Sequence, residues 1–266
     1  MQSVASVQEA LSLLMLVAQN PGLGVTELAR RSGNTKARAY RLLTTLEGSG
    51  FVQRAREDSS YHLGHATVIL GLAAQQQVNV VKAAGVHLQR LGQAFNETVS
   101  VLLRDGFERV TVAQLQSTHD LRVHGEVGRR RRLSAGASGK VLLSYASEEI
   151  QQAVLNGELP RFTDNTIISK SKLAKELVKV RQNGYAVSDG EMVNGVVAIA
   201  APIFDGAGSV IAALSMNMPA SRAPASLERY VREVMSTAAR ISADLGWTAP
   251  AGEGRVASPS RANAAA

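Results

Sequence analysis

Thr26–Leu46 reads TELARRSGNTKARAYRLLTTL. Ala29, Gly33, Ala39 and Leu42 stand at the spacing of two short helices joined by a tight turn. Ala29 is small where the second helix crosses the first, and Gly33 accepts the positive φ that the turn needs. Ala39 and Leu42 turn one face of the second helix toward the first. The stretch also carries Arg30, Arg31, Lys36, Arg38 and Arg41, with acids only at its edges, Glu27 and Glu47. An apolar stripe beneath a basic face suits a helix that enters the major groove while resting on a support. The alternative is an ordinary helical corner with solvated cations, so the flanking segments matter.

Upstream, Ser3 is placed to cap a helix running to about Gln19, with Val7, Ala10, Leu11, Leu14 and Leu16 or Val17 inward. Pro21-Gly22 ends it. Thr26 reads as the cap of the second helix and Asn34 or Thr35 as the cap of the third, which runs to Glu47 or Gly48. Phe51–Arg54 and Tyr61–Leu63 read as strands around a turn at Glu57–Ser60. Three helices and a hairpin spell a winged helix-turn-helix over residues 1–64. In such a unit Thr26, Thr35, Arg54 and the helix N-termini supply phosphate contacts. Arg38 and Arg41 have the reach and fork geometry for guanine, one holding a base and the other a phosphate in either assignment. Tyr40 serves a phosphate or packs within the unit.

Downstream the style changes. Residues 65–79 read as a helical connector, whose apolar positions Val68, Ile69, Leu72 and Ala73 suggest a dimer seam. Two recognition helices about 34 Å apart, or a multiple, require two chains. A helix over 80–95 places Val81, Ala84, Leu88 and Leu91 on one face. From Thr98 the period becomes two: a hairpin across Asp105-Gly106, then a short strand at Leu121–His124. Helices follow at Gly136–Tyr145, Glu148–Leu155 and Lys172–Asn183, a strand at Tyr185–Val187, a hairpin of Gly195–Ile203 with Ser209–Asn217, and a final helix at Ser226–Leu245. Beyond Gly246 the chain is too poor in apolar residues to fold, so 247–266 reads as a disordered tail.

The 266 residues suffice for one large domain or two ordinary ones, and 45% apolar content excludes global disorder. A net charge of +7 favours a polyanionic partner. Residues 1–65 hold seven Lys or Arg against five acids, so clustering argues more strongly than the total. The absence of cysteine excludes disulfides, thiolate nucleophiles and Cys-ligated metal centres. Leu11–Ala18 has the length of a signal-peptide core, but no Lys or Arg precedes it and Glu9 adjoins it. The later run Gly195–Phe204 is too short to span a bilayer. A cytoplasmic protein without membrane contact is expected.

Other chemistries fail on spacing. SAGASGKV lacks the first glycine of a phosphate loop, because residue 134 is Ser, and Val141 stands where Ser or Thr must bind magnesium. Lys140 is then structural or a charge near a pocket. The five histidines form no metal-ligand pair, so neither a metal nor a cofactor is expected. Asp189 and Glu191 lack an accompanying nucleophile or base, and no catalytic residue is assigned. An enzyme domain with an appended helix-turn-helix is the competing function, drawing on Ser138, Lys140, Ser188, Asp189 and Ser215. Arg129–Arg132 reads as a solvated or inter-subunit loop.

TELARRSG, KARAYRLLTTL and YHLG, followed in order by Glu97-Thr98-Val99, LSAGASGKVLLS, Thr163–Ile167, VRQNGYAVSDGE, Gly195–Phe204 and AALSMN, resemble the IclR family of bacterial transcription regulators. The likeness runs to Gly246. It implies an α+β chain: a winged helix-turn-helix at 1–64, a linker helix and dimer contact at 65–79, and a GAF-like effector-binding domain at 80–246. It implies homodimers, often paired as dimers of dimers, that bind double-stranded operator DNA under control of a small-molecule effector. A small carboxylate or aromatic acid is the family-level effector. Lys36, Arg38 and Arg41 map onto the recognition helix. The effector pocket maps onto Ala137, Ser138, Ser188, Asp189, Val196, Ala198, Ser215 and Asn217. Ala198, Ser188 and Asn217 depart from the residues common there, Cys, an acid and Ser respectively.

Overall fold

In the computed structural model, residues 4–77 and 79–248 are described. The chain divides between Val78 and Asn79 into two compact units, each with its own core. The first comprises α1 (Ala5–Gln19), α2 (Val25–Ser32), α3 (Lys36–Gly48), an antiparallel hairpin of β1 (Val52–Arg54) and β2 (Tyr61–Leu63), and α4 (His65–Gln77). Its core gathers Leu13, Val17, Leu28, Ala39, Leu43 and Tyr61. Gly33 closes α2 in the left-handed region at φ 70°, and the Thr35 side chain caps α3 by accepting the Arg38 N–H.

Thr26 is not the cap of α2. The helix opens two residues earlier than that cap implies, at Val25 with Gly24 in the cap position, and Thr26 is exposed in its first turn. Leu23 is bridged to Tyr61, with the Tyr61 N–H donating to the Leu23 carbonyl at 3.0 Å. That contact holds the chain extended as far as Leu23, so the helix begins directly after it. At α1 the cap position is Val4, without a side-chain bond; Ser3 lies outside the described residues. The inward face of α1 also differs from expectation. Leu13 and Val17 are fully buried, whereas Val7 and Leu11 are each 55% exposed. The helix carries two apolar stripes, and only one of them meets α2 and α3. Gly64 sits where the hairpin passes into α4, and a Cβ there would fall on the Gly50 carbonyl oxygen.

The second unit holds α5 (Asn79–Phe95), β3 (Thr98–Asp105), β4 (Glu108–Leu115), β5 (Arg130–Arg132), α6 (Ala137–Ser144), α7 (Glu148–Asn156) and α8 (Lys170–Asn183), then β6 (Ala186–Asp189), β7 (Val196–Phe204), β8 (Val210–Pro219) and α9 (Glu228–Asp244). The six strands form one antiparallel sheet in the order β5-β4-β3-β8-β7-β6. Helices α5 and α9 pack on one face, and α6, backed by α8, packs on the other. Along α5 the deepest residue at its start is Val80, with Val81 half-buried.

Three further expectations are corrected here. The third strand is Arg130–Arg132, not Leu121–His124. The later segment takes the β4 edge, with Arg129 and Gly128 already bonded to Thr111, while Leu121–His124 is held by the Thr98 hydroxyl donating to the Val123 carbonyl at 3.0 Å. Arg129–Arg132 is therefore an edge strand and its approach, not a loop. The packed chain also extends past Gly246: the Trp247 ring stacks on Phe204 with centroids 4.8 Å apart. Residues 249–266, the rest of the expected tail, lie outside the described residues.

Candidate functional site

In the first unit, α3 offers one long side to solvent. Ala39, Leu43 and Leu46 face the core, which puts Ala37, Arg41 and Thr44 on the opposite side of the helix. Lys36, Arg38, Tyr40 and Arg41 are all exposed, as are Thr26, Thr35 and, on β1, Arg54. Their electrostatic situations differ. Arg38 makes a two-bonded ion pair with Glu9 of α1, at 2.5 and 3.1 Å. Arg30 and Arg31 both bind Glu27, whose carboxyl the two guanidinium hydrogen bonds lower to about 2. Among the described residues, no carboxylate lies within ion-pair range of Lys36, Arg41 or Arg54. Arg41 is thus a free guanidinium at the centre of the exposed face. The expectation treated Arg38 and Arg41 alike; the structure separates them, because Glu9 reaches one and not the other.

In the second unit a cavity of about 120 Å³ opens between the sheet and the start of α6. A cavity of roughly 150 Å³ takes a benzene-sized guest, so this one suits a small molecule. Register builds its floor. Thr98, Asn217, Ala198 and Ser188 stand opposite one another in a row across β3, β8, β7 and β6, and Ser100 stands opposite Ser215 in the next row. Ala137 and Ser138 at the start of α6, Val196 of β7, and Met192 and Val193 of the loop before it complete much of the wall. Seven of the eight sequence-derived pocket positions therefore meet here. Asp189 does not: strand alternation points Ser188 inward and leaves Asp189 exposed. The Asp189 carbonyl accepts the Asn165 side-chain amide at 3.3 Å.

The loop entering α6 is locked from below. Lys140 is 1% exposed. Its ammonium donates to the Glu191 carboxylate at 2.5 Å, the Val187 carbonyl at 2.7 Å and Glu176 at 3.4 Å. The other Glu191 oxygen accepts the Gly136 N–H at 3.1 Å, and the Thr166 hydroxyl donates to the Glu191 carbonyl at 2.7 Å. Gly136 needs φ 80°, and a Cβ on Gly139 would fall on the Arg109 guanidinium and the Leu133 carbonyl. No Ser–His pair is present at the cavity among the described residues: Ser215 donates to Asn217, and His124 is engaged by Glu126. No group of described residues is arranged to hold a metal, and no described helix is long and apolar enough to cross a membrane.

Family profiles match both units. One described as the IclR helix-turn-helix domain covers residues 6–56, and one described as the bacterial transcriptional regulator IclR C-terminal covers 72–243. The chain belongs to the IclR family of transcriptional regulators. It is 33% identical to the transcriptional regulator KdgR of Escherichia coli over 92% of this chain and 94% of that protein. An IclR-type regulator from Alicyclobacillus acidocaldarius superposes with a TM-score of 0.84 at 28% identity, over 92% of this chain and all of that one. An IclR homolog from Microbacterium hydrocarbonoxydans, solved as a complex with 4-hydroxybenzoate, gives 0.79 at 25% identity, over 89% and 98% of the two chains.

Within this IclR chain the sequence reading missed several cavity residues: Thr98, Ser100, Thr111, Gln114 and the arginines Arg109, Arg129 and Arg131. Thr98 and Ser100 had a signal, since polar residues at alternate positions of an otherwise apolar strand mark a wet face. Arg109 had none, because only tertiary packing carries it beneath α6. Burial, then repulsion from Arg131, lowers the Arg109 guanidinium to about 10, with Glu191 opposing. Burial and Arg129 lower Arg131 as well.

Proposed function

We propose that this IclR-family chain binds operator DNA as a homodimer and is controlled by a small carboxylic acid in the second unit. Residues 1–64 hold the DNA, 65–79 contribute to the dimer contact and 80–246 take the effector. The observation that carries the reading is the outward face of α3, where Arg41 and Lys36 are exposed without a carboxylate partner. In this reading Arg41 enters the major groove, and Thr26, Thr35, Tyr40 and Arg54 serve phosphates. Arg38 joins them by exchanging Glu9 for DNA.

Dimerisation is supported by apolar surface that the first unit leaves uncovered. Val4, Val7, Leu11 and Met15 recur at helical spacing on α1, and Val68, Ile69, Leu70 and Leu72 are exposed on α4. The acid class of effector is supported by 4-hydroxybenzoate in the related structure and by the hydroxyls and N–H groups converging near Ser138, Ser188, Ser215 and Asn217. The effector acts by binding two arrangements of the dimer with unequal affinity.

The test is binding of the full chain to DNA from upstream of its own gene, titrated with salt. Salt-sensitive, sequence-selective binding is expected. Arg41→Ala should weaken it at least tenfold while the unfolding temperature holds. Absence of binding to any upstream fragment overturns the reading, and unchanged affinity in Arg41→Ala removes α3 from the interface.

A further inference from the structure

The run Arg129–Arg132 is divided between two faces by the strand it forms. Arg130 turns to one face, where its guanidinium meets Asp105 and, at 2.9 Å, Glu108. Arg131 turns to the other, and Arg129 with it; both line the cavity. There the cross-strand partner of Arg131 is Arg109, and the partner of Arg109 on its other side is Arg104. Three arginines stand in register across β3, β4 and β5. Among the described residues, no carboxylate lies within ion-pair range of Arg104, Arg109, Arg129 or Arg131. Glu191, the acid that Arg109 senses, is held by Lys140. The cavity lining contains no Asp or Glu.

Like charges placed directly opposite destabilise a sheet, and Arg109 is only 4% exposed. The row therefore carries a repulsion that no ion pair to these arginines offsets among the described residues. Arg109 is nonetheless held in place. One of its terminal nitrogens donates to the carbonyls of Arg132 and, at 2.9 Å, Ala135. Its Nε and second terminal nitrogen hydrogen-bond to no described residue, and the latter lies beside Gly136. At that point the first turn of α6 presents N–H groups without helical partners.

We infer that Arg109 and Arg131, with the first turn of α6, form a subsite for two negative charges, so that the effector acid presents there a phosphate monoester or a pair of carboxylates. This rests on the cavity being the effector site. A single carboxylate neutralises one of the two arginines; a doubly charged end neutralises both and accepts the free donors of Arg109. Arg109 and Arg131 are binding residues under this assignment, and Arg129 adds field at the exposed rim.

The full chain is to be unfolded thermally at pH 8 in graded inorganic phosphate, malonate, acetate and chloride at matched ionic strength. Phosphate, malonate or both should raise the unfolding temperature saturably, with half-saturation at least tenfold below that of acetate. Saturation by phosphate alone assigns a phosphate monoester, and by malonate alone two carboxylates. Arg131→Gln should abolish the dianion preference and, by removing the repulsion, unfold at a higher temperature than the parent without added anion. Arg131→Lys should keep most of the preference. An equal response to acetate and to both dianions, no saturable response to either dianion, or a preference that survives Arg131→Gln overturns the subsite. DNA binding on the same preparations separates the two readings. A chain that binds its upstream DNA but ignores both dianions loses the subsite and keeps the regulator; the reverse result does the opposite.

Discussion

Replacing Lys140 with Met removes the ammonium on which the loop entering α6 is built. The side chain is 1% exposed and serves three acceptors: a Glu191 oxygen, the Val187 carbonyl and Glu176. Met fills a similar volume, so packing changes little and the loss is electrostatic. What remains is a buried Glu191 carboxylate whose one other side-chain bond is the Gly136 N–H. Removing one partner of a buried ion pair costs about 3–5 kcal/mol, because the other charge stays behind without compensation. For a unit of this size 1 kcal/mol corresponds to roughly 2–4 °C, so the unfolding temperature should fall by about 6–20 °C.

The single tryptophan, Trp247, stacks on Phe204 in this unit, so its fluorescence follows the relevant transition. Glu191→Gln in the Lys140→Met background removes the stranded charge and keeps an acceptor for Gly136. The double variant should therefore recover at least half of the loss, a coupling that a double-mutant cycle reads directly. A loss below about 1 kcal/mol in Lys140→Met, or a double variant no more stable than the single, refutes the view that this pair carries the loop.

Three further outcomes are expected. Gly64→Ala places a methyl on the Gly50 carbonyl and should destabilise the winged unit by about 1–3 kcal/mol in urea unfolding, as overpacking does; a neutral result would mean that the strand-to-helix junction is loose. Leu11→Glu with Ile69→Glu, both in exposed apolar stripes, should sediment as a monomer and lose operator affinity, and a stable dimer in that variant rejects the seam. Glu27 should titrate at about 2 under the hydrogen bonds of Arg30 and Arg31. Because its folded value is depressed, its contribution is present above the ordinary carboxylate range and is lost as pH falls through about 2. An NMR midpoint near 4.5 contradicts the double ion pair.

The elements that sequence reading recovers are those with punctuation. Gly33, Thr35, Asp105-Gly106 and Gly184 each force a local conformation that neighbouring side chains do not alter, so the helix-turn-helix, the β3–β4 hairpin and the end of α8 are legible. Where a segment is apolar on two sides, periodicity cannot choose between them. On α1 the stripe through Leu13 and Val17 is buried and the stripe through Val7 and Leu11 is left out. Thr26 has the side chain of a cap but does not act as one, because a contact distant in sequence, Leu23 with Tyr61, sets the start of α2. β5 was hidden because four arginines have the composition of a solvated loop. It forms a strand because Asp105 and Glu108 receive Arg130 on the outer face. Asp189 and Ser188 show the same sensitivity at the site, since a shift of one residue on a strand exchanges cavity for solvent.

Charge placement, more than charge count, separates support from function in both units. Arg38 and Arg41 lie three residues apart on one helix, and Arg130 and Arg131 are adjacent on one strand. In each pair the structure gives one member a carboxylate, Glu9 for Arg38 and Asp105 with Glu108 for Arg130, and leaves the other without one. A satisfied arginine has little to gain from a ligand, because binding must first break a bond that the protein already makes. An arginine without a carboxylate gains the whole interaction, and a buried one gains more, since low-polarity surroundings weaken the competition from water. On that ground Arg41 is the stronger candidate for the DNA face than Arg38. Arg109, deeper than either and still protonated with its guanidinium at about 10, is the stronger anchor for an anion in the cavity. The two arginines differ in exposure as well: Arg41 stands on a solvated helix face, where salt would compete with a ligand, and Arg109 is buried at the cavity wall, where salt would compete far less.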